Sequence, residues 1–154
     1  MKKKLAFILS ISLLIVLVFA SFKSNQKQKV HFNHLAVFVY DLKVSTNFYQ
    51  NILKLDTIPN PFNDGRHTWF NIGDHSQLHL IAGNKKEQQH DKDTHLCLSV
   101  QSTDEFVKQL QATHTVFFNW KGDSQTPTLR ADGVKQIYLQ DPDGYWVEIN
   151  DDKY

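Results

Sequence analysis

Short stretches of alternating apolar and polar residues recur along the chain, each bounded by turn-forming residues. Such alternation is typical of β-strands that bury one face. After the first stretch, Asp41 can cap a helix in which Val44, Phe48 and Ile52 recur at helical spacing. The first half is therefore predicted as a strand, a helix and three further strands. The predicted strands are 32–40, 55–58, 68–72 and 77–82.

The second half shows the same order of elements. Ser102 and Glu105 have the spacing of a capping box, and Phe106, Val107 and Leu110 form the apolar stripe of the helix that follows. Asp141 begins an Asp-Pro-Asp-Gly turn, in which the proline presets φ, the aspartate bonds to the backbone that follows, and the glycine takes a positive φ. The predicted strands are 94–100, 115–120, 134–140 and 145–149.

The two halves also match in their letters. His34–Val39 lines up with His95–Val100 at an offset of 61 residues. A duplicated unit determines the architecture. We therefore predict an α+β fold of two βαβββ modules, about 32–82 and 94–150, which form a shared concave sheet within a domain at 31–152.

The N-terminus has the pattern of an export signal. Lys2, Lys3 and Lys4 precede an apolar stretch at 5–19, and Ala20 offers a cleavage position. We predict a signal peptide at 1–20, with an uncleaved membrane anchor as the alternative, and a polar tether at 21–30. The domain is then expected to be exported, periplasmic or secreted, or else anchored at the membrane.

Charge and cysteine content limit the binding partners and the disulfides that the chain can have. The chain has 17 Lys+Arg, 16 Asp+Glu and a net charge of +1, which becomes −2 when the three N-terminal lysines are removed. This balance indicates no nucleic-acid surface, and it leaves membrane contact to the N-terminal segment. Cys97 is the only cysteine, so an internal disulfide is excluded.

Four polar residues lie at matched positions of the first and last strand of each module: His34, His79, His95 and Glu148. In each case the neighbouring aliphatic residues point to the opposite face of the strand. Three imidazoles and one carboxylate suit Zn²⁺, Ni²⁺, Co²⁺, Fe²⁺ or Mn²⁺. The pattern therefore predicts a divalent metal centre on the concave face.

Several motifs carry a family resemblance. They are Phe32-Asn33-His34-Leu35-Ala36, Phe48-Tyr49, Leu78-His79-Leu80, His95-Leu96 and the run from Asp141 to Asn150. Through them the chain resembles the vicinal oxygen chelate superfamily of glyoxalase I, extradiol dioxygenases, fosfomycin-resistance transferases, methylmalonyl-CoA epimerase and bleomycin-binding proteins. The closing run is similar to the last strand of glyoxalase I in particular.

The resemblance implies that His34, His79, His95 and Glu148 are metal ligands and that Glu148 is also the catalytic base. It implies a glyoxalase-like lyase or isomerase whose small substrate chelates the metal through adjacent oxygens. One departure is that glyoxalase I usually has Glu at the position of His79. An extradiol-type dioxygenase and a non-catalytic binding protein of the bleomycin-resistance kind are the alternatives.

Further residues are candidates for the substrate pocket. Trp69, Tyr138 and Trp146 would form its walls, because aromatic side chains on these strands provide large apolar surfaces. A positively charged side chain would hold an anionic group, and the candidates are Arg66, Arg130 and Lys135. Whether the two modules pair within one chain or across a homodimer is left open by the sequence.

Overall fold

The computed structural model describes residues 28–83, 85 and 89–153. The predicted signal at 1–20 and most of the tether lie outside the described residues. Phe32–Tyr154 forms one compact unit, which contains both predicted modules. No helix in the described part of the chain is long and apolar enough to cross a membrane.

The first module is a four-stranded sheet with one helix. Its strands lie in the order β1-β4-β3-β2, with β1 parallel to β4 and the other pairs antiparallel. The helix continues without a break into a π-helical turn at Phe48–Ile52. The elements are β1 (His34–Val39), α1 (Leu42–Asn47), β2 (Thr57–Ile58), β3 (His67–Asn71) and β4 (Gln77–Ala82).

The second module has the same topology, with the strand order β5-β8-β7-β6. Its elements are β5 (His95–Ser99), α2 (Thr103–Ala112), β6 (Thr128–Leu129), β7 (Lys135–Gln140) and β8 (Trp146–Asn150). The register repeats too: Ala36 pairs with His79 in the first sheet, and Cys97, 61 residues after Ala36, pairs with Glu148 in the second. The predicted α+β fold of two βαβββ modules is confirmed.

Both helices begin at the predicted caps. The Asp41 side chain accepts a hydrogen bond from the Val44 amide at 3.1 Å, and the Ser102 hydroxyl accepts one from the Glu105 amide at 3.3 Å. These side chains satisfy backbone donors that the first helical turn leaves free. The inward face of α1 differs from the prediction, because Ser45 is buried whereas Val44 is half exposed.

The aliphatic faces of the two sheets share one hydrophobic core. Leu78 and Leu80 of β4 and Val147 and Ile149 of β8 are almost completely buried there, together with the inner faces of both helices. His79 and Glu148 alternate with these residues, so their side chains lie on the other face of each strand. The shared core therefore directs both polar faces away from itself.

The prediction of a strand over 115–120 is wrong. Only Phe118 in this stretch forms a β-bridge, with Tyr138, and the strand beside β7 is instead β6, in the region predicted as a loop. His114 has a positive φ of 53°, and the Asn119 side chain accepts hydrogen bonds from the Gly122 and Asp123 amides. A side chain that bonds to nearby backbone competes with strand pairing, and this ends the extended stretch.

The Asp-Pro-Asp-Gly turn forms as predicted. Asp141 accepts hydrogen bonds from the Asp143 and Tyr145 amides, both at 2.9 Å, and Gly144 has a φ of 85°. Only glycine adopts this conformation without strain. The turn therefore sets the register in which β8 leaves it.

The same turn ties the second module to the first. Asp143 accepts hydrogen bonds from the Tyr40 amide at 2.6 Å and the Ser45 hydroxyl at 2.7 Å, and Asp141 accepts one from the Tyr49 hydroxyl at 2.8 Å. Burial raises the pKa of Asp141 above its usual value, and burial beside this carboxyl raises the pKa of Tyr49. The fold thus depends on polar contacts buried between the modules.

Candidate metal centre

The first module brings two of the predicted ligands together. His34 lies on β1 and His79 on β4, and their rings stack with centroids 4.4 Å apart and planes 10° from parallel. Trp69 of β3, which pairs directly with His79, stacks on its other side at 3.9 Å. Three rings from three adjacent strands therefore form a continuous stack on the face opposite the core.

Each imidazole of this pair has one ring nitrogen held by a neighbouring amide. His34 Nδ1 lies 2.7 Å from Asn33 Oδ1, and His79 Nε2 lies 2.8 Å from Gln77 Oε1. Partial burial and the neighbouring His34 lower the pKa of His79 below its usual value. The neutral imidazole that a metal requires is thereby favoured at His79.

The second module brings the other two together. His95 Nε2 of β5 lies 3.1 Å from Glu148 Oε2 of β8. His95 Nδ1 lies 2.7 Å from the carbonyl oxygen of Lys92, which orients the ring. Glu148 also accepts hydrogen bonds from the Tyr138 hydroxyl at 2.6 Å and the Asn150 amide at 2.9 Å. The carboxylate is buried and held on three sides.

The charges around Glu148 favour its ionised form. Burial alone would raise the pKa of Glu148, but hydrogen bonds from Tyr138 and Asn150 and the facing His95 lower it below its usual value. Burial and the hydrogen bond to Glu148 raise the pKa of Tyr138. Partial burial and the nearby carboxylate raise the pKa of Cys97 to about 12, so its thiol is neutral at physiological pH.

The four predicted ligands lie in two pairs rather than in one group. No three His, Cys, Asp or Glu side chains of the described residues are grouped closely enough to hold a metal ion. Each pair lies on two adjacent strands, β1 and β4 or β5 and β8. Among the described residues, β1 and β5 lie at the edges of their sheets. The chain as described therefore presents two half-sites, which we call the His34–His79 pair and the His95–Glu148 pair.

The donor set fits a divalent transition metal. Each of the three imidazoles has one nitrogen held by a carbonyl oxygen, which leaves the other nitrogen for a ligand bond. Metal-binding histidines commonly have this second hydrogen bond, because it selects the tautomer and orients the ring. Imidazole with carboxylate suits Zn²⁺, Ni²⁺, Co²⁺, Fe²⁺ and Mn²⁺.

The three aromatic pocket candidates lie beside the pairs. Trp69 covers His79, and the Tyr138 ring meets the His95 ring edge-on at 5.6 Å. Trp146 lies on the same face of β8 as Glu148, and its indole nitrogen donates to the His90 carbonyl at 3.0 Å. All three lie on the faces that carry the predicted ligands, and Tyr138 is almost completely buried there.

The three cationic candidates differ in position. The Lys135 ammonium pairs with Asp104 at the start of α2, on the helix side of the sheet. The Arg66 guanidinium donates to the Ala82 carbonyl at 3.2 Å. Arg130 pairs with Asp132 at 2.5 Å. Lys135 therefore lies away from both ligand pairs. Arg130 is paired with a carboxylate, and Arg66 is bonded to a backbone carbonyl.

Three residues at the second half-site were not identified as site residues from the sequence. Asn150 shares the face of Glu148, so strand alternation could have identified it. Lys92 and Trp120 come from loops, where no periodic pattern indicates which way a side chain points. They contact the face of β7 and β8 that carries Glu148.

Solved structures share the fold. A lactoylglutathione lyase from Agrobacterium tumefaciens is 17% identical, with a TM-score of 0.60 over 81% of this chain and 96% of that one. A glyoxalase family protein from Bacillus anthracis is 20% identical, with a TM-score of 0.66 over 83% and 99%. A variant of the fosfomycin resistance protein FosX from Listeria monocytogenes, in complex with Mn(II) and 1S,2S-dihydroxypropylphosphonic acid, is 20% identical, with a TM-score of 0.64 over 82% and 95%.

Comparison with curated proteins gave no match. The family model described as Glyoxalase/Bleomycin resistance protein/Dioxygenase superfamily matches residues 31–149. This match covers both modules and every predicted metal ligand. The chain therefore belongs to the glyoxalase, bleomycin resistance protein and dioxygenase superfamily.

Proposed function

We propose that the protein is a metal-dependent lyase or isomerase of the glyoxalase type. The ligands in this proposal are His34, His79, His95 and Glu148. The observation that supports it most is the environment of Glu148, a buried carboxylate that faces the ring of His95 and is held by Tyr138 and Asn150. A carboxylate held in this way is suited to bind a cation and to exchange a proton with a substrate.

The chain's own residues then have separate tasks. A divalent cation held by these ligands would polarise oxygens on two neighbouring substrate carbons and acidify the C–H next to the polarised carbonyl. Glu148 takes this proton and returns it to the neighbouring carbon, while Tyr138 and Asn150 keep its oxygens oriented. Trp69 stacks on the His79 ring at 3.9 Å and so helps to hold its orientation.

Glyoxalase I usually has Glu where this chain has His79. This difference leaves fewer carboxylates that could act as a general base. The His34–His79 pair contributes no carboxylate, so Glu148 is the only acidic side chain among the four ligands. A general base has to reach the proton that it abstracts. Proton transfer is therefore assigned to Glu148 alone.

We also propose that two copies of the chain assemble the complete site. The His34–His79 pair of one copy would meet the His95–Glu148 pair of the other. The position of β1 and β5 at the edges of their sheets in the described part of the chain supports this arrangement, because sheet edges are templates for pairing with another chain. Phe38, exposed on the ligand face of β1, supplies apolar surface for such a contact.

The substrate class depends on where the protein works. The predicted signal at 1–20 would export the domain, and outside the cytoplasm the hemithioacetal of a cytosolic thiol would be scarce. We therefore propose a small dicarbonyl or hydroxyacid as a substrate as well as thiol adducts. The test should therefore include substrates with and without a thiol group attached.

The proposal is tested by turnover in heavy water. The domain at 31–152 is loaded in turn with Zn²⁺, Ni²⁺, Co²⁺, Mn²⁺ and Fe²⁺ and offered 2-oxoaldehydes, their thiol hemithioacetals and α-hydroxyketones. We expect isomerisation with solvent deuterium in the product, because the proton passes through Glu148 and can exchange there. E148Q should abolish the isomerisation.

Two results would contradict the lyase or isomerase. Oxygen uptake with catechols by the Fe²⁺ form would indicate an extradiol dioxygenase. Ligand binding without turnover in any metal form would indicate a binding protein of the bleomycin-resistance kind.

A further inference from the structure

Lys92 lies inside a cage of three aromatic rings at the second half-site. Its ammonium nitrogen is 5.3 Å from the ring centroid of Trp120, 5.3 Å from that of Tyr138 and 5.4 Å from that of Trp146. It also donates a hydrogen bond to the Trp120 carbonyl. A cation within about 6 Å of a ring centroid is attracted by the ring's negative face. The ammonium is therefore held firmly in position.

The cage lies on the face of the sheet that carries Glu148. Trp146 precedes Glu148 by two residues on β8, and Tyr138 pairs with Glu148 across the strands and donates a hydrogen bond to it. The Lys92 carbonyl accepts from the His95 ring, so the lysine backbone also contacts the ligand pair. The charge of Lys92 is thus fixed next to the proposed reaction centre.

This charge has no counterion within the described part of the chain. None of the ion pairs there includes Lys92, whereas Lys108, Arg130 and Lys135 each pair with a carboxylate. An ammonium has three donors, and the Trp120 carbonyl takes one of them. The remaining donors are therefore free for an acceptor that a ligand supplies. The aromatic rings hold the cation but do not neutralise it.

We propose that Lys92 is a specificity-determining residue, which binds an anionic group of the substrate such as a carboxylate or phosphonate. This inference rests on the proposed function, because the same substrate would present its adjacent oxygens to the metal. The cage is already filled by the protein's own cation, so the ligand that it selects is an anion. The substrate class is then a small oxyanion with two further chelating oxygens.

The first test compares two chelators on the metal-loaded protein. Acetohydroxamate chelates through two oxygens, and N-hydroxysuccinamate differs only in that it adds a free carboxylate to the same chelating group. In K92M, calorimetry should show about a tenfold loss of affinity for N-hydroxysuccinamate, because a charge-assisted hydrogen bond is lost, and no change for acetohydroxamate. K135M, whose lysine pairs with Asp104 on the helix side, should change neither affinity.

Equal losses for both chelators in K92M, or no loss for either, would overturn the assignment of Lys92. Failure of the wild-type protein to bind acetohydroxamate would instead count against the proposed metal function. A second measurement, which needs no metal, tests in that case as well whether Lys92 binds an anion.

The second measurement uses the tryptophans of the cage as reporters. Methylphosphonate is titrated into metal-free protein while tryptophan fluorescence is recorded. We expect a saturable change in the wild type and in K135M, and none in K92M. No response in the wild type, or the same response in K92M, would overturn the proposal. Binding of tetramethylammonium by K92M together with an unresponsive wild type would show that the cage selects cations.

Discussion

His95→Ala is expected to abolish stoichiometric metal binding. His95 Nε2 faces Glu148 at 3.1 Å, and its Nδ1 is already held by the Lys92 carbonyl, so the ring is oriented for one ligand bond. Loss of a residue that merely orients a ligand typically weakens metal affinity 10–100-fold, and loss of the ligand itself should cost at least about 100-fold. Elemental analysis after dialysis and calorimetry with Zn²⁺ or Co²⁺ measure the effect.

His31→Ala is the matched control for His95→Ala. His31 is exposed and precedes the first strand, so its loss should leave metal content unchanged. Circular dichroism of both variants establishes that they fold. A folded His95→Ala protein with the metal content of the wild type would contradict the assignment of His95.

Asp143→Ala is expected to lower the free energy of unfolding by about 2–4 kcal/mol. The Asp143 carboxylate accepts hydrogen bonds from the Tyr40 amide and the Ser45 hydroxyl, and it is buried. Alanine would leave these donors of the first module without their acceptor. For a domain of this size the midpoint of thermal unfolding should fall by roughly 5–15 °C. Urea titration and thermal melts measure both quantities.

Asp74→Ala is the corresponding control in the first module. Asp74 lies in the turn between β3 and β4, as Asp143 lies in the turn between β7 and β8, but it is exposed. Its replacement should change stability by less than about 0.5 kcal/mol. Similar losses in the two variants would show that the bonds between the modules are not what makes Asp143 important.

Much of the fold follows from local patterns. Strand alternation correctly places His79 and Glu148 opposite the aliphatic core, and the match between His34–Val39 and His95–Val100 reappears as an equal strand register. The helix caps at Asp41 and Ser102 also form as expected. These features depend on neighbours in sequence or on a repeat, and both are visible in the letters.

Other features depend on contacts that no local pattern contains. Alternation shows which face of a strand is polar, but not whether two polar faces meet within one chain. Ser45 is buried because it donates to Asp143, which is 98 residues away. The stretch 115–120 alternates like a strand, yet Asn119 bonds to its own loop instead. Lys92 and Trp120 reach the half-site from loops, and only the folded chain shows that they meet.

We expect one metal site to combine the His34–His79 pair of one copy with the His95–Glu148 pair of another. Two double variants test it, H34A/H79A and H95A/E148A, each of which should bind no metal alone. In a dimer of the two, one site loses all four ligands and the other keeps all four, because each chain contributes one intact module.

The decisive measurement is the metal content of this mixed dimer, purified through a different affinity tag on each chain. We predict about one metal ion per mixed dimer, with none in either parent. A mixed dimer without metal, or a metal-loaded wild-type monomer, would contradict a site shared between two copies.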